Sequence, residues 1–109
     1  MPSPTIDPIA IRQAASQAVS MLKMLSNEDR LLLLCQLTQG ELCVSELEAA
    51  LDIHQPTLSQ QLGVLRQEGL VSTRRAGKHI YYQIANTDTL TILQTLYGLY
   101  CPQPLESQT

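Results

Sequence analysis

Three cysteines, Cys35, Cys43 and Cys101, and a run of uncharged hydrogen-bonding side chains between Gln55 and Gln61 are the places where this sequence could do chemistry. Thiols in a cytoplasmic chain are reduced at rest, and so are open to redox or soft-metal chemistry rather than serving as fixed disulfide staples. Each also has a plainer reading. Cys35 closes the apolar run Leu31–Cys35, where a thiol packs as a small hydrophobe. Cys43 lies beside a helix start, and Cys101 has less to pack against near the chain end.

The uncharged run belongs to Ser45–Arg66, which reads as two short helices around a tight corner at Asp52-Ile53-His54. Leu47, Ala50 and Leu51 recur at helical spacing in the first half, and Leu58, Leu62 and Leu65 in the second, so each helix has one buried side. Pro56 falls in the first turn of the second helix, where proline is tolerated best. Opposite the leucines stand Thr57, Gln60 and Gln61, with Ser59 and Gln55 beside them. Such groups bond to phosphates and to base edges in a major groove, and glutamine can pair bidentately with adenine. The same pattern also suits an ordinary polar face on a helical hairpin.

These residues must be held by the elements around them. Ile9, Ala14, Ala18, Met21, Leu22 and Leu25 mark a first helix from about Asp7, whose small residues allow close approach by a helix of another chain. A core helix runs from Asn27 to about Thr38, with Ser26 and Asp29 in a capping pattern, and Ser45 with Glu48 has capping-box spacing. Leu42 and Val44 suit a brief strand. Leu70–Arg75 and His79–Ile84 read as a β-hairpin around Ala76-Gly77-Lys78, with Val71, Thr73, Ile80, Tyr82 and Ile84 on the inner faces. Arg74, Arg75 and Lys78 then gather at the tip of a wing, within reach of a phosphate backbone. Asn86-Thr87-Asp88 caps a last helix, Thr89 to about Tyr100, whose apolar stripe is too broad for one small domain to cover, so the first and last helices together predict a two-fold dimer.

A chain of 109 residues, 44% hydrophobic, suits a single domain over 1–109, with residues 1–6 and 103–109 expected as disordered tails. Its longest apolar run is far too short for a membrane span, and no basic segment leads into an apolar signal core, so a cytoplasmic location is expected. The net charge of −3 conceals an uneven distribution. From His54 to Ile84, Arg66, Arg74, Arg75 and Lys78 face only Glu68, a balance of +3, while the remainder carries −6. A cationic segment that coincides with the helix-turn-helix is the footprint DNA binding needs. So few positive groups per chain call for two chains on one duplex. No acid/base dyad, activated nucleophile or phosphate-binding glycine loop points to an enzyme.

The order helix, helix, helix-turn-helix, hairpin wing, terminal helix resembles the ArsR/SmtB family of dimeric winged-helix repressors over roughly Ala14 to Cys101. Leu25-Ser26-Asn27-Glu28-Asp29-Arg30-Leu31 is similar to that family's LSxxxRL segment, and Gly69-Leu70-Val71 with Gly77-Lys78-His79-Ile80-Tyr81-Tyr82 to its wing. The resemblance implies a mainly α fold with a small β-hairpin, forming a homodimer that binds operator DNA and leaves it when an inducer arrives. Gln55-Pro56-Thr57-Leu58-Ser59-Gln60-Gln61-Leu62-Gly63-Val64-Leu65-Arg66 is closer still to the BigR/SqrR group within the family, sensors of persulfide and other reactive sulfur.

Members of that group carry one cysteine in the second helix and one at the end of the terminal helix, positions that Cys35 and Cys101 occupy. The resemblance therefore implies that these two thiols are joined directly or through sulfur, with Cys43 as a possible third participant. Metal-sensing members carry terminal-helix histidines that this sequence lacks, and Cys43-Val44-Ser45 keeps one thiol of the CVC pair of arsenic sensors. Two other functions stay open: a thiol-based repressor responding to arsenic, antimony or another soft metal, and a helical interaction module that does not bind DNA. Cys101-Pro102 also resembles the short Cys-Pro motif of haem regulation, so haem or a soft metal at Cys101 is a lesser alternative; no cofactor is otherwise expected. His54 and His79 read as phosphate contacts or exposed surface.

Overall fold

The computed structural model describes residues 7–101, and both expected tails fall outside them. The chain runs α1 (Pro8–Leu25), α2 (Glu28–Leu37), β1 (Leu42–Cys43), α3 (Val44–Ala50), α4 (Thr57–Gln67), β2 (Val71–Ala76), β3 (His79–Ile84) and α5 (Thr87–Tyr100). It is a winged helix-turn-helix. Among the described residues no helix is long and apolar enough to cross a membrane.

Leucine at helical spacing sets the core. Leu33 and Leu34 of α2, Leu47 of α3, and Leu58, Leu62 and Leu65 of α4 are fully buried and meet Ile53 of the corner, Val71 of β2 and Leu93 of α5. Burying one leucine side chain stabilises a fold by roughly 1.5–3 kcal/mol, so this layer fixes how α4 is presented. Ala50, expected on the inner side of α3, is exposed, because the helix ends there and the chain turns away.

The helix starts differ from the expected ones by a residue or two. Asn27, not Ser26, caps α2, its side chain accepting from Arg30 N at 3.0 Å, while Ser26 Oγ turns back to Lys23 O at 2.8 Å. At α3 the box is Cys43 with Glu46, whose Oε1 accepts from Cys43 N at 2.9 Å, rather than Ser45 with Glu48. Pairing of β1 with β3 pulls the start of α3 forward. Pro56 stands at the N-cap of α4, one position before its first turn. Asn86 caps α5 by accepting from Thr89 N and Thr89 Oγ1, both at 2.8 Å.

The sheet has three antiparallel strands in the order β1-β3-β2, so the brief strand at Leu42 docks on the wing. Ala76 pairs with His79, which reduces the expected three-residue turn to Gly77-Lys78. Gly77, with φ 63°, takes the left-handed conformation that a tight hairpin needs at its first central residue. Val71, Thr73, Tyr82 and Ile84 line the inner face, but Ile80 is 45% exposed because its register partner is Arg75, beyond the body.

Candidate nucleic-acid interface and thiol groove

Opposite its buried leucines, α4 presents exposed Ser59, Gln60 and Arg66, with Thr57 half-buried at its start. Two of the expected contact residues have work inside the protein. Gln55 Oε1 accepts from Ser59 N at 3.1 Å, satisfying a backbone donor that the helix leaves free in its first turn. Gln61 is half-buried and accepts from Arg30 Nη1 at 3.1 Å.

Arg30 is a functional candidate that charge counting passes over. Its Nε donates to Met24 O at 2.8 Å and its Nη2 to Lys23 O at 3.1 Å, so one guanidinium ties the C-terminus of α1 to the middle of α4. Carbonyls at a helix end have no intrahelical partner, and a fork of donors suits them. The signal in sequence is an arginine just after a helix stop, which by itself reads as surface charge.

On the wing, the expected cationic cluster divides. Arg75 and Lys78 are exposed around the turn. Arg74 instead points back to the body, its Nε donating to both carboxylate oxygens of Glu41 (2.9 and 2.8 Å) and its Nη2 to Oε1. Its guanidinium also lies over the Tyr81 ring, 4.9 Å from the centroid. The hydrogen bonds from Arg74 hold the Glu41 carboxyl below its ordinary range and raise the guanidinium. Arg74 is therefore neutralised by Glu41 and does not belong to the tip. His54 is exposed and stands beside surface carboxylates, with Nε2 2.8 Å from Asp52 Oδ1 and Nδ1 3.7 Å from Glu48 Oε2. Exposed His79 sets its ring edge-on to Tyr81.

All three cysteines are free thiols. Cys43 is buried at the start of α3, with Sγ 3.2 Å from Ser45 Oγ, and faces a cleft shared with Glu48 and the wing residues Lys78, His79 and Ile80. Cys35 and Cys101 lie elsewhere. Both are half-buried, and both line one cleft of about 430 Å³ between α2 and the end of α5, walled by Leu31, Leu96, Tyr97 and Tyr100. Burial pushes the Cys35 thiol pKa up, and the nearby Cys101 adds to the rise. Of the two thiols, Cys35 also lines a second cleft further along, with Thr38, Gln39, Leu93, Gln94 and Tyr97. Among the described residues no three His, Cys, Asp or Glu are grouped to hold a metal ion.

The outer helices leave apolar surface uncovered. Ile9 (69%) and Leu22 (61%) of α1, and Leu99 (69%) and Tyr100 (80%) of α5, are more exposed than side chains of this size usually remain.

Residues 27–73 match the family described as "Bacterial regulatory protein, arsR family". A biofilm growth-associated repressor of Agrobacterium fabrum is 49% identical over 92 residues, covering 84% of this chain and 79% of the relative. The crystal structure of the transcriptional repressor BigR from Xylella fastidiosa superposes with a TM-score of 0.81 at 42% identity, covering 90% of this chain and all of that one. A homodimeric winged helix-turn-helix DNA-binding domain from Mycobacterium bovis, described as a possible ArsR-family regulator, superposes at 0.71 with 31% identity, over 90% of this chain and 89% of its own. The leucine-set recognition helix, the hairpin wing and these likenesses agree: the chain belongs to the arsR family of bacterial regulatory proteins and is a DNA-binding transcriptional regulator of the winged-helix type.

Proposed function

We propose that this chain is a dimeric repressor that holds operator DNA while its thiols are reduced, and releases it when reactive sulfur joins Cys35 to Cys101. The observation that carries this reading is the meeting of those two thiols in one apolar cleft between α2 and α5, away from Cys43. A persulfide supplies the oxidising equivalent: two cysteine thiols and RSSH give the Cys35–Cys101 disulfide, RSH and hydrogen sulfide, the sulfane sulfur being reduced to sulfide. The exposed apolar faces of α1 and α5 support a dimer across these helices, as does the homodimeric relative.

A bridge from α2 to the end of α5 acts on the helices that carry that interface. Recognition helices of a dimer must stand about one turn of DNA apart, roughly 34–36 Å, so a small rotation of the subunits removes specific affinity. In this reading, direct DNA contacts fall to Thr57, Ser59, Gln60, Arg66, Arg75 and Lys78, while Gln55, Gln61 and Arg74 brace the surfaces that carry them.

Gel-shift titration of wild type, Cys35→Ser, Cys43→Ser and Cys101→Ser, first reduced and then treated with polysulfide, tests the reading. Treated Cys35→Ser and Cys101→Ser remain bound while wild type and Cys43→Ser release. Release by Cys35→Ser overturns the pairing, and absence of salt-sensitive duplex binding in any form overturns the repressor reading itself.

A further inference from the structure

Of the 18 residues of α1, only Leu25 is buried within the chain, with Met21 and Met24 partly buried against the core. A helix of that length is about 27 Å long, so α1 is held to its own subunit by its last turns and projects for the rest. Even there it does not close fully on the body, because Met21 and Met24 share an open cleft with Glu68 and Leu70, just beyond α4. The hydrophobic effect is non-directional, so apolar packing at one end of a helix holds it in place more firmly than it sets its tilt.

We infer that Arg30 is the positioning residue that sets the tilt of α1 against the recognition helix α4, and with it the half-site spacing that a dimer of this chain accepts on DNA. The inference rests on the dimeric operator-binding reading above and adds to it a residue that determines spacing.

Arg30 stands in the first turn of α2, its backbone N–H donating to Asn27 Oδ1 at 3.0 Å, so its side chain starts from a fixed point. From there one guanidinium serves three acceptors on two other helices. Nε and Nη2 donate to Met24 O and Lys23 O at the end of α1, at 2.8 and 3.1 Å, and Nη1 donates to Gln61 Oε1 on α4 at 3.1 Å. A planar fork holds its donors in fixed relative directions, which a flexible ammonium does not, and a cation is favoured beside the negative end of a helix. Gln61 is half-buried and its neighbour Gln60 is exposed, so the strut ends at the border of the DNA-facing surface.

The length of α1 magnifies small changes at its anchor. A tilt of about 10° moves the far end of a lever of about 27 Å by about 5 Å, more than the roughly 3.4 Å between successive base pairs. In a two-fold dimer joined along these helices the tilt is made twice, once in each subunit. Recognition helices must match sites about one turn of DNA apart, so a loosened strut widens the range of spacings accepted.

The test uses the full chain, kept reduced so that thiol chemistry plays no part. A two-fold duplex is selected by wild type from a random-sequence pool, and versions are made with one base pair added to or removed from its centre. Gel-shift affinities give the ratio between the selected spacing and the altered ones. Wild type prefers its own spacing by roughly tenfold or more, and Arg30→Gln, Arg30→Lys and Gln61→Leu each lower the ratio to roughly two- to threefold. Gln61→Glu, which still accepts from Arg30, keeps the wild-type ratio while its added negative charge lowers affinity for every duplex. Because each ratio is taken within one variant, a lower folded fraction does not change it. Should Arg30→Gln not fold, Gln61→Leu breaks the same link and leaves the carbonyl bonds of Arg30 in place.

A wild-type ratio in either Arg30→Gln or Gln61→Leu overturns the strut. So does an Arg30→Gln protein that keeps the ratio but loses about 0.9 per subunit from the salt slope, which is the behaviour of a phosphate contact. Failure of wild type to select any two-fold site overturns the dimeric operator reading itself, an outcome distinct from a two-fold site whose spacing Arg30 does not set.

Discussion

Around α4 and the wing, several polar side chains that sequence spacing aims outward have a partner inside the protein, whereas in the α2–α5 groove the two thiols are set in apolar walls. Gln55 caps a helix, Gln61 is held by Arg30, and Arg74 is neutralised by Glu41. Cys35 and Cys101 are half-buried among leucine and tyrosine. The difference teaches that a polar face is built as much from supports as from outward groups, while the two thiols share a sheltered apolar cleft away from it. It also means that substitutions in the two regions should have different signatures, one in salt dependence and the other in thiol chemistry.

The largest expected effect removes the distinction by striking the layer both regions share. Leu62→Ala empties a fully buried site between α4 and the body. It should cost about 2–5 kcal/mol, read by urea titration, and operator binding and Cys35–Cys101 bridging should fail together. If only one fails, the two regions are less coupled than their common leucines imply.

Next comes Asn86→Ala, which removes the N-cap of α5 but touches nothing on α4. A loss of about 1 kcal/mol in thermal or urea unfolding is expected. Bridging should weaken while the reduced protein keeps its DNA salt slope.

A smaller effect separates the arginines of the wing. Arg75→Gln should lower the slope of log affinity against log salt by about 0.9 for each subunit if its guanidinium neutralises a phosphate. Arg74→Gln should leave that slope nearly unchanged, because Glu41 already neutralises its charge. Equal losses would put Arg74 back among the DNA contacts.

The subtlest concerns protons. The fold favours the protonated thiol of Cys35. Its contribution to stability is therefore present below the ordinary thiol pKa and is lost as pH rises through the raised value. In Cys43→Ser, iodoacetamide labelling of Cys35 should accelerate with pH above the range of a free thiol. Adding Cys101→Ser should shift that profile part of the way back, since burial is the larger cause and remains. A profile matching free cysteine in both variants would contradict it.

Much of the fold is legible in the sequence because leucine spacing and capping residues act locally. Leu58, Leu62 and Leu65 mark the inner side of α4, and Asn86 announces α5. The shifts at α2 and α3 arise where neighbouring residues compete for one cap: Ser26 and Asn27 both suit the first, and strand pairing decides the second. Long-range partners are the hardest to read. Nothing near Arg74 in the sequence reveals Glu41, 33 positions away, and nothing near Gln61 reveals Arg30, 31 positions away. Periodicity gives the face on which a side chain stands, and tertiary packing alone decides which of its hydrogen bonds are already made. The meeting of Cys35 with Cys101 is of this second kind, reached in the sequence only through resemblance to a family.

That meeting is tested most directly by mapping the sulfur bridge in the full chain after treatment with glutathione persulfide. Trypsin leaves Cys35 and Cys43 on one peptide, so cleavage at glutamate, which cuts at Glu41 between them, is added before mass analysis under non-reducing conditions. The account predicts Cys35 linked to Cys101, directly or through added sulfur, with Cys43 a free thiol. Cys43 in the bridge, or Cys35 unmodified while DNA is released, would contradict it.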